Sequence, residues 1–203
     1  MQIRNAAAAL LPATALVFGL FSGLAVAPAS AAPVASAAID ASVVIHAPEG
    51  ALDREDTSEA LKAAGYGGTI TRSEVLARAK NWWDRKVPYS QSAYAWDVNH
   101  GKTYRTDCSG FVSMTWKLTS SRTTETLDNV SARISWANLK PGDMVLRAGH
   151  HVKLFEKWTS SAKTSMWIYE EGSTATDMDH ETVSVSYLKD NGFLPWRYNN
   201  IRD

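Results

Sequence analysis

This chain of 203 residues contains one cysteine, Cys108, so no internal disulfide can staple its fold. The constraint carries weight because the chain opens like an exported protein, and outside the reducing cytoplasm a cysteine is normally paired. A lone thiol there is either buried and inert or reactive, and counting alone leaves both readings open.

The start reads as a signal peptide over residues 1–32. Arg4 gives a short positive region, an apolar stretch follows over 6–27, and small residues with prolines close it. Ala29-Ser30-Ala31 and Ala35-Ser36-Ala37 both fit a small-x-small cleavage pattern. An uncleaved anchor is the alternative, but Pro12 and Gly19 interrupt the stretch and alanine dominates it. No other stretch approaches the ~20 apolar residues of a membrane span. The expectation is therefore a secreted protein, extracellular or wall-associated, without stable membrane insertion. The remaining chain, about 170 residues, suits one core.

Basic and acidic residues balance at 21 each, so no global charge draws the chain to nucleic acid. Residues 33–68 read as a poorly ordered linker or pro-segment. They are rich in Ala and Ser at first, with the charged run Asp53-Arg54-Glu55-Asp56 and the break Gly65-Tyr66-Gly67-Gly68. The folded domain is expected over 69–203.

Within it, Thr71 and Glu74 form a capping-box pattern. Val75, Leu76, Ala79, Trp82 and Trp83 recur at helical spacing, and Pro88 is the expected stop. Residues 89–106 read as a loop, a second helix begins near Cys108, and 119–131 read as an exposed loop. Met144–Leu146, His151–Trp158, Ser165–Glu170 and Thr182–Tyr187 read as strands. Helices first and strands later imply an α+β domain with an antiparallel sheet.

A helix starting at Cys108 would aim its free N–H groups and positive dipole end at the sulfur, lowering the thiol's pKa. Asp107 opposes this electrostatically, and its expected role is to cap the helix or to contact substrate. Of five histidines, His46, His100 and His180 read as solvated residues. His151 opens a strand, where alternation places it with Lys153 and Phe155, opposite Val152 and Leu154. Glu170 and Glu171 end the next strand and point to opposite faces, so only one could orient an imidazole. On the residues alone, a pair of solvated acids at a strand end is the favoured reading. The histidines and the cysteine show no zinc-ligand spacing, and no metal or cofactor is expected.

Three blocks then coincide: Asp107-Cys108-Ser109-Gly110-Phe111-Val112, Leu139-Lys140-Pro141-Gly142-Asp143 and His151-Val152-Lys153-Leu154-Phe155. Together they resemble the NlpC family of cell-wall cysteine peptidases, a papain-like class related to CHAP amidases. The ending Pro195-Trp196-Arg197-Tyr198 is similar too. The resemblance covers about Thr71 to Ile201. It implies a papain-like NlpC-type fold, with N-terminal helices packed on a small antiparallel sheet. It implies Cys108 as nucleophile, His151 as base and Glu170 as third residue, with Glu171 as runner-up. Tyr89, Asp107 and Ser109 match substrate-binding positions. The implied activity is hydrolysis of amide bonds in peptidoglycan stem peptides by a monomer. N-acetylmuramoyl-L-alanine amidase or acyl-transfer chemistry on the same fold is one alternative, and a non-catalytic wall-binding or interaction module is another. Two departures bear on the groove. Pro88-Tyr89-Ser90-Gln91-Ser92 lacks the family's glycines, and Lys153 stands where the family has glycine.

Overall fold

The computed structural model describes residues 65–203; the expected signal peptide and most of the expected linker lie outside the described residues. The domain begins earlier than residue 69. Tyr66 is buried in the core and donates a hydrogen bond to Asp97 (2.7 Å), which Arg78 also reaches (3.1 Å).

Strand β1 (Ile70–Thr71) leads into α1 (Arg72–Asp84). The cap forms as its sequence implies, with Thr71 Oγ1 accepting from the Glu74 N–H at 3.2 Å. Val75, Ala79 and Trp82 bury one face, and Trp83 on the next position stays exposed. The helix stops before Pro88. Lys86 takes a left-handed conformation (φ 49°), and the Arg85 and Lys86 N–H groups close onto Asn81 and Trp83 carbonyls.

The expected loop over 89–106 contains a hairpin, β2 (Tyr94–Trp96) with β3 (Thr103–Arg105). Ala95 and Tyr104 face inward from its centre. Strands of three residues are too short to display a period of two. Helix α2 (Cys108–Thr115) follows, buried along its whole length. The segment 119–131 is not wholly exposed loop, because Leu127 is buried and a strand begins at Ser131.

A six-stranded antiparallel sheet forms the second layer. It contains β4 (Ser131–Arg133), β5 (Met144–Arg147), β6 (His151–Trp158), β7 (Ser165–Glu171), β8 (Met178–Ser184) and, after helix α3 (Val185–Asp190), β9 (Leu194–Tyr198). The order is β4-β9-β5-β6-β7-β8. The strand expected over 182–187 therefore lies earlier, and Ser184 caps α3 by accepting from the Tyr187 N–H at 3.2 Å. A closing strand, β10 (Ile201–Arg202), pairs parallel with β1, Ile70 opposite Ile201.

The sheet is covered on both faces. Met144, Leu146, Val152 and Leu154 join Phe111, Val112 and Met114 of α2 in the main core. Val145, Phe155, Met166 and Ile168 pack on the other face with Leu139, Leu188 and Phe193. Each such side chain removed from water contributes about 1.5–3 kcal/mol, which lets a chain with one cysteine hold together without cross-links. The mixed α+β class thus stands, with few helices against one antiparallel sheet.

The Pro141-Gly142-Asp143 turn anchors both layers. Gly142 (φ 85°) presses against Val75 and Ile201, and its carbonyl accepts from Trp116 Nε1 at 2.9 Å. Asp143 is fully buried. It accepts from Arg72 NH1 (2.9 Å), Arg197 Nε (3.0 Å) and NH2 (2.7 Å), and the Lys140 N–H (2.8 Å).

Candidate active site

Cys108 is the first residue of α2. Asp107 caps the helix, its Oδ1 accepting from the Gly110 N–H at 2.7 Å. Arg105, which the sequence reading did not single out, organises this corner. Its Nε donates to Asp107 Oδ2 (2.5 Å), and its NH2 to Ser109 Oγ (3.0 Å) and the Arg122 carbonyl (2.9 Å). Ser109 Oγ in turn donates to Asp107 Oδ1 at 3.1 Å. Asp107 and Ser109, matched to substrate-binding positions, are thus buried and committed to the start of the helix. Gly110 is required sterically, because a Cβ there would collide with the Arg105 carbonyl oxygen. A Gly110→Ala variant is expected to lose about 3 kcal/mol, read as a lowered denaturation midpoint, with Cys108 displaced along with the helix start.

The thiol departs from the expectation of a lowered pKa. Cys108 is 7% exposed, and burial, reinforced by the Asp107 charge, pushes its pKa up to about 11. The Val152 and Ser109 N–H groups and Arg105 oppose that rise without overcoming it. The helix start does favour negative charge, but desolvation outweighs it here. The Val152 N–H facing the sulfur also locates it at the mouth of β6, one residue from His151.

His151 and Glu170 are brought together by register. Leu154 pairs with Tyr169, which sets Lys153 across from Glu170 and His151 on the diagonal. Glu170 Oε2 is hydrogen-bonded to His151 Nε2, and Lys153 Nζ donates to Glu170 Oε1. Glu170 is 5% exposed. Burial would raise its carboxyl, but the His151 hydrogen bond and the Lys153 charge outweigh burial and hold it down at about 2. Lys153 was noted only as a departure; its position opposite an acid on the next strand was the signal for this grip. His151, Lys153 and Glu170 share the face of Phe155 and Ile168, whereas Cys108 approaches from the face of Val152 and Leu154. Among the described residues no hydrogen bond joins Cys108 to His151, and His151 Nδ1 has no hydrogen-bond partner.

Glu171 points to the opposite face from Glu170 and makes no hydrogen bond. Tyr89 is half-buried. Its N–H donates to Asp177 Oδ1 (2.9 Å), and its hydroxyl accepts from Gln91 (3.3 Å). The Ser90 N–H bonds the Thr106 carbonyl at 2.9 Å, which lays this segment beside the approach to Cys108. His180 is not the solvated residue expected from its polar surroundings. It stacks on Tyr169 (4.1 Å between ring centres) and hydrogen-bonds Glu156 at 3.0 Å. His100 stacks on Trp96, and His46 lies outside the described residues.

Among the described residues, no cluster of three or more His, Cys, Asp or Glu side chains could hold a metal ion, and no helix is long and apolar enough to cross a membrane. No protein-family model, curated protein or solved structure matches the chain.

Proposed function

We propose that the protein is a secreted cysteine hydrolase with a papain-like, NlpC-type fold that cleaves amide bonds of peptidoglycan stem peptides. The observation that carries this reading is the meeting of two features at one strand mouth. A cysteine opens a buried helix, and the adjacent strand residue is a histidine held through Nε2 by an ionised, buried glutamate.

The high thiol pKa fixes the order of proton movement. A resting thiolate is not available near neutral pH, so the proton leaves as the bond forms. His151 is the first residue of β6, so in the reacting complex its ring turns past the strand end, and its Nδ1 takes the Cys108 proton while sulfur attacks the substrate carbonyl. The collapsing tetrahedral species gives an acyl-enzyme, and His151 returns the proton to the departing amine. A water molecule, deprotonated by His151, then releases the acid and restores the thiol. Glu170, steadied by Lys153, fixes the imidazole tautomer and stabilises its charged form. The enzyme works as a monomer without cofactor, and N-acetylmuramoyl amide cleavage or acyl transfer would use the same steps.

Digestion of purified peptidoglycan, with products read by mass spectrometry, tests the substrate. Shortened stem peptides indicate an endopeptidase, and stems freed from glycan indicate an amidase. Cys108→Ala is expected to lower turnover by about 10⁴-fold or more. The buried, unionised sulfur favours one other reading, a non-catalytic module that binds wall fragments. Unchanged peptidoglycan in that digestion, together with binding of intact wall fragments that survives Cys108→Ala, would favour that module.

A further inference from the structure

Glu171 ends β7 on the face of Tyr169, which packs in the α2 core. It is 0% exposed, and neither carboxyl oxygen has a hydrogen-bond partner. Two other acids act on it from separate segments, Asp107 at the start of α2 and Asp177 in the turn from β7 to β8. Arg105, the cation of this corner, is committed to Asp107, Ser109 and the Arg122 carbonyl. An ionised carboxylate here would be buried, unpaired and flanked by like charge, which is costly. Burial, then Asp177 and Asp107, raise its carboxyl from the ordinary 4.5 to about 9.

The turn beside it is tightly made. Asp177 sits at φ 51°, a left-handed conformation that aspartate adopts more readily than most residues. Its N–H bonds the Ser173 carbonyl (2.7 Å), and its carbonyl accepts from the Gly172 N–H (3.0 Å). Its Oδ1 accepts from the Tyr89 N–H at 2.9 Å, tying the turn to the segment that runs beside the approach to Cys108. An open surface depression of about 420 Å³, lined by Trp83, Asp84, Lys86, Thr176, Asp177 and Met178, lies against the turn. Among the described residues, no packed element fills that side of the turn.

We propose that Glu171 is a positioning residue: its protonated carboxyl lets the Gly172–Asp177 turn close against the start of α2, and loss of the proton opens the turn and uncovers the face on which Cys108 lies. For its catalytic meaning the inference rests on Cys108 being the nucleophile; the latch itself does not.

The sign of the pH dependence follows. The closed state binds a proton more tightly than the open one, so closure is fully favoured below about pH 4.5. It weakens about tenfold per pH unit up to about pH 9 and then levels off. The test compares the full-length wild type with Glu171→Gln, a neutral isostere, by thermal midpoint and by iodoacetamide labelling of Cys108 between pH 5 and 10.5. The wild-type midpoint is expected to fall relative to the variant up to about pH 9 and to run parallel above it. The ratio of wild-type to variant labelling rates is expected to rise and level with the same break. A constant midpoint gap overturns the proposal, since Glu171 would then carry no extra proton. A growing gap with a constant labelling ratio overturns it too, since Cys108 would not sense the latch. Should Glu171→Gln fail to fold, Asp177→Asn serves instead. Removing one repelling charge must move the wild-type break to lower pH, and no movement overturns the proposal. A catalytically inert Cys108 leaves these readouts intact, so failure of the hydrolase reading is distinguishable from failure of the latch.

Discussion

Asp143→Ala is expected to cost about 3–5 kcal/mol of stability, the range for breaking a buried charge pair by removing one partner. Chemical denaturation followed by tryptophan fluorescence would measure it. Three groups lose their acceptor at once: Arg72 from α1, Arg197 from β9 and the Lys140 N–H of the turn itself. Arg72 and Arg197 come from the two layers, so their loss loosens the helix against the sheet rather than one local turn. Asp143→Asn should recover part of the loss, because one amide oxygen still accepts while the other position becomes a donor facing arginine. A loss below about 1 kcal/mol for the alanine variant would mean that the hub contributes no more than an exposed ion pair.

Glu170→Gln is expected to act on both rate and stability. His151 loses the acceptor that sets its tautomer, and kcat should fall by about 10²–10⁴-fold with a smaller change in KM. Lys153 is left buried beside a neutral amide, with Glu181 at 3.8 Å as its remaining acid. The pH profile separates the contribution of charge. Glu170 lies below its ordinary 4.5, at about 2 in the fold, so its stabilisation is present above pH 4.5 and disappears as pH falls toward 2. Wild type should lose about 3 kcal/mol across that window, and the glutamine variant should lack this component. Equal acid sensitivity in the two proteins would show that the Lys153–Glu170–His151 arrangement does not set the charge state of Glu170.

The parts of this architecture that were legible in sequence have strong local determinants. Thr71 and Glu74 announce the start of α1, Asp107 announces that of α2, and β6 and β7 carry long apolar runs bounded by turns. The opposite facing of Glu170 and Glu171 also follows from strand period alone. What escaped the sequence reading depends on distant partners. Tyr66 joins the core because Asp97, 31 residues on, accepts its hydroxyl. The β2–β3 hairpin is too short to show alternation, and although Pro88 signals the end of α1, the left-handed turn at Lys86 that follows the helix has no glycine to mark it. At the site, Arg105 sits in a polar stretch that looked like loop. The thiol pKa was misjudged because the helix start is readable from sequence, whereas the depth at which it is buried is not.

The order in which strands enter the sheet has a bearing on synthesis. Strand β9, near the end of the chain, sits between β4 and β5, and β10 closes on β1 across more than a hundred intervening residues. A nascent chain that has exposed residues up to 190 therefore has every proposed catalytic group in hand but a split sheet, with β4 and β5 each missing a neighbour. Closure of the sheet must wait for residues 194–202, and truncation before them should yield aggregation-prone edges rather than a smaller working domain.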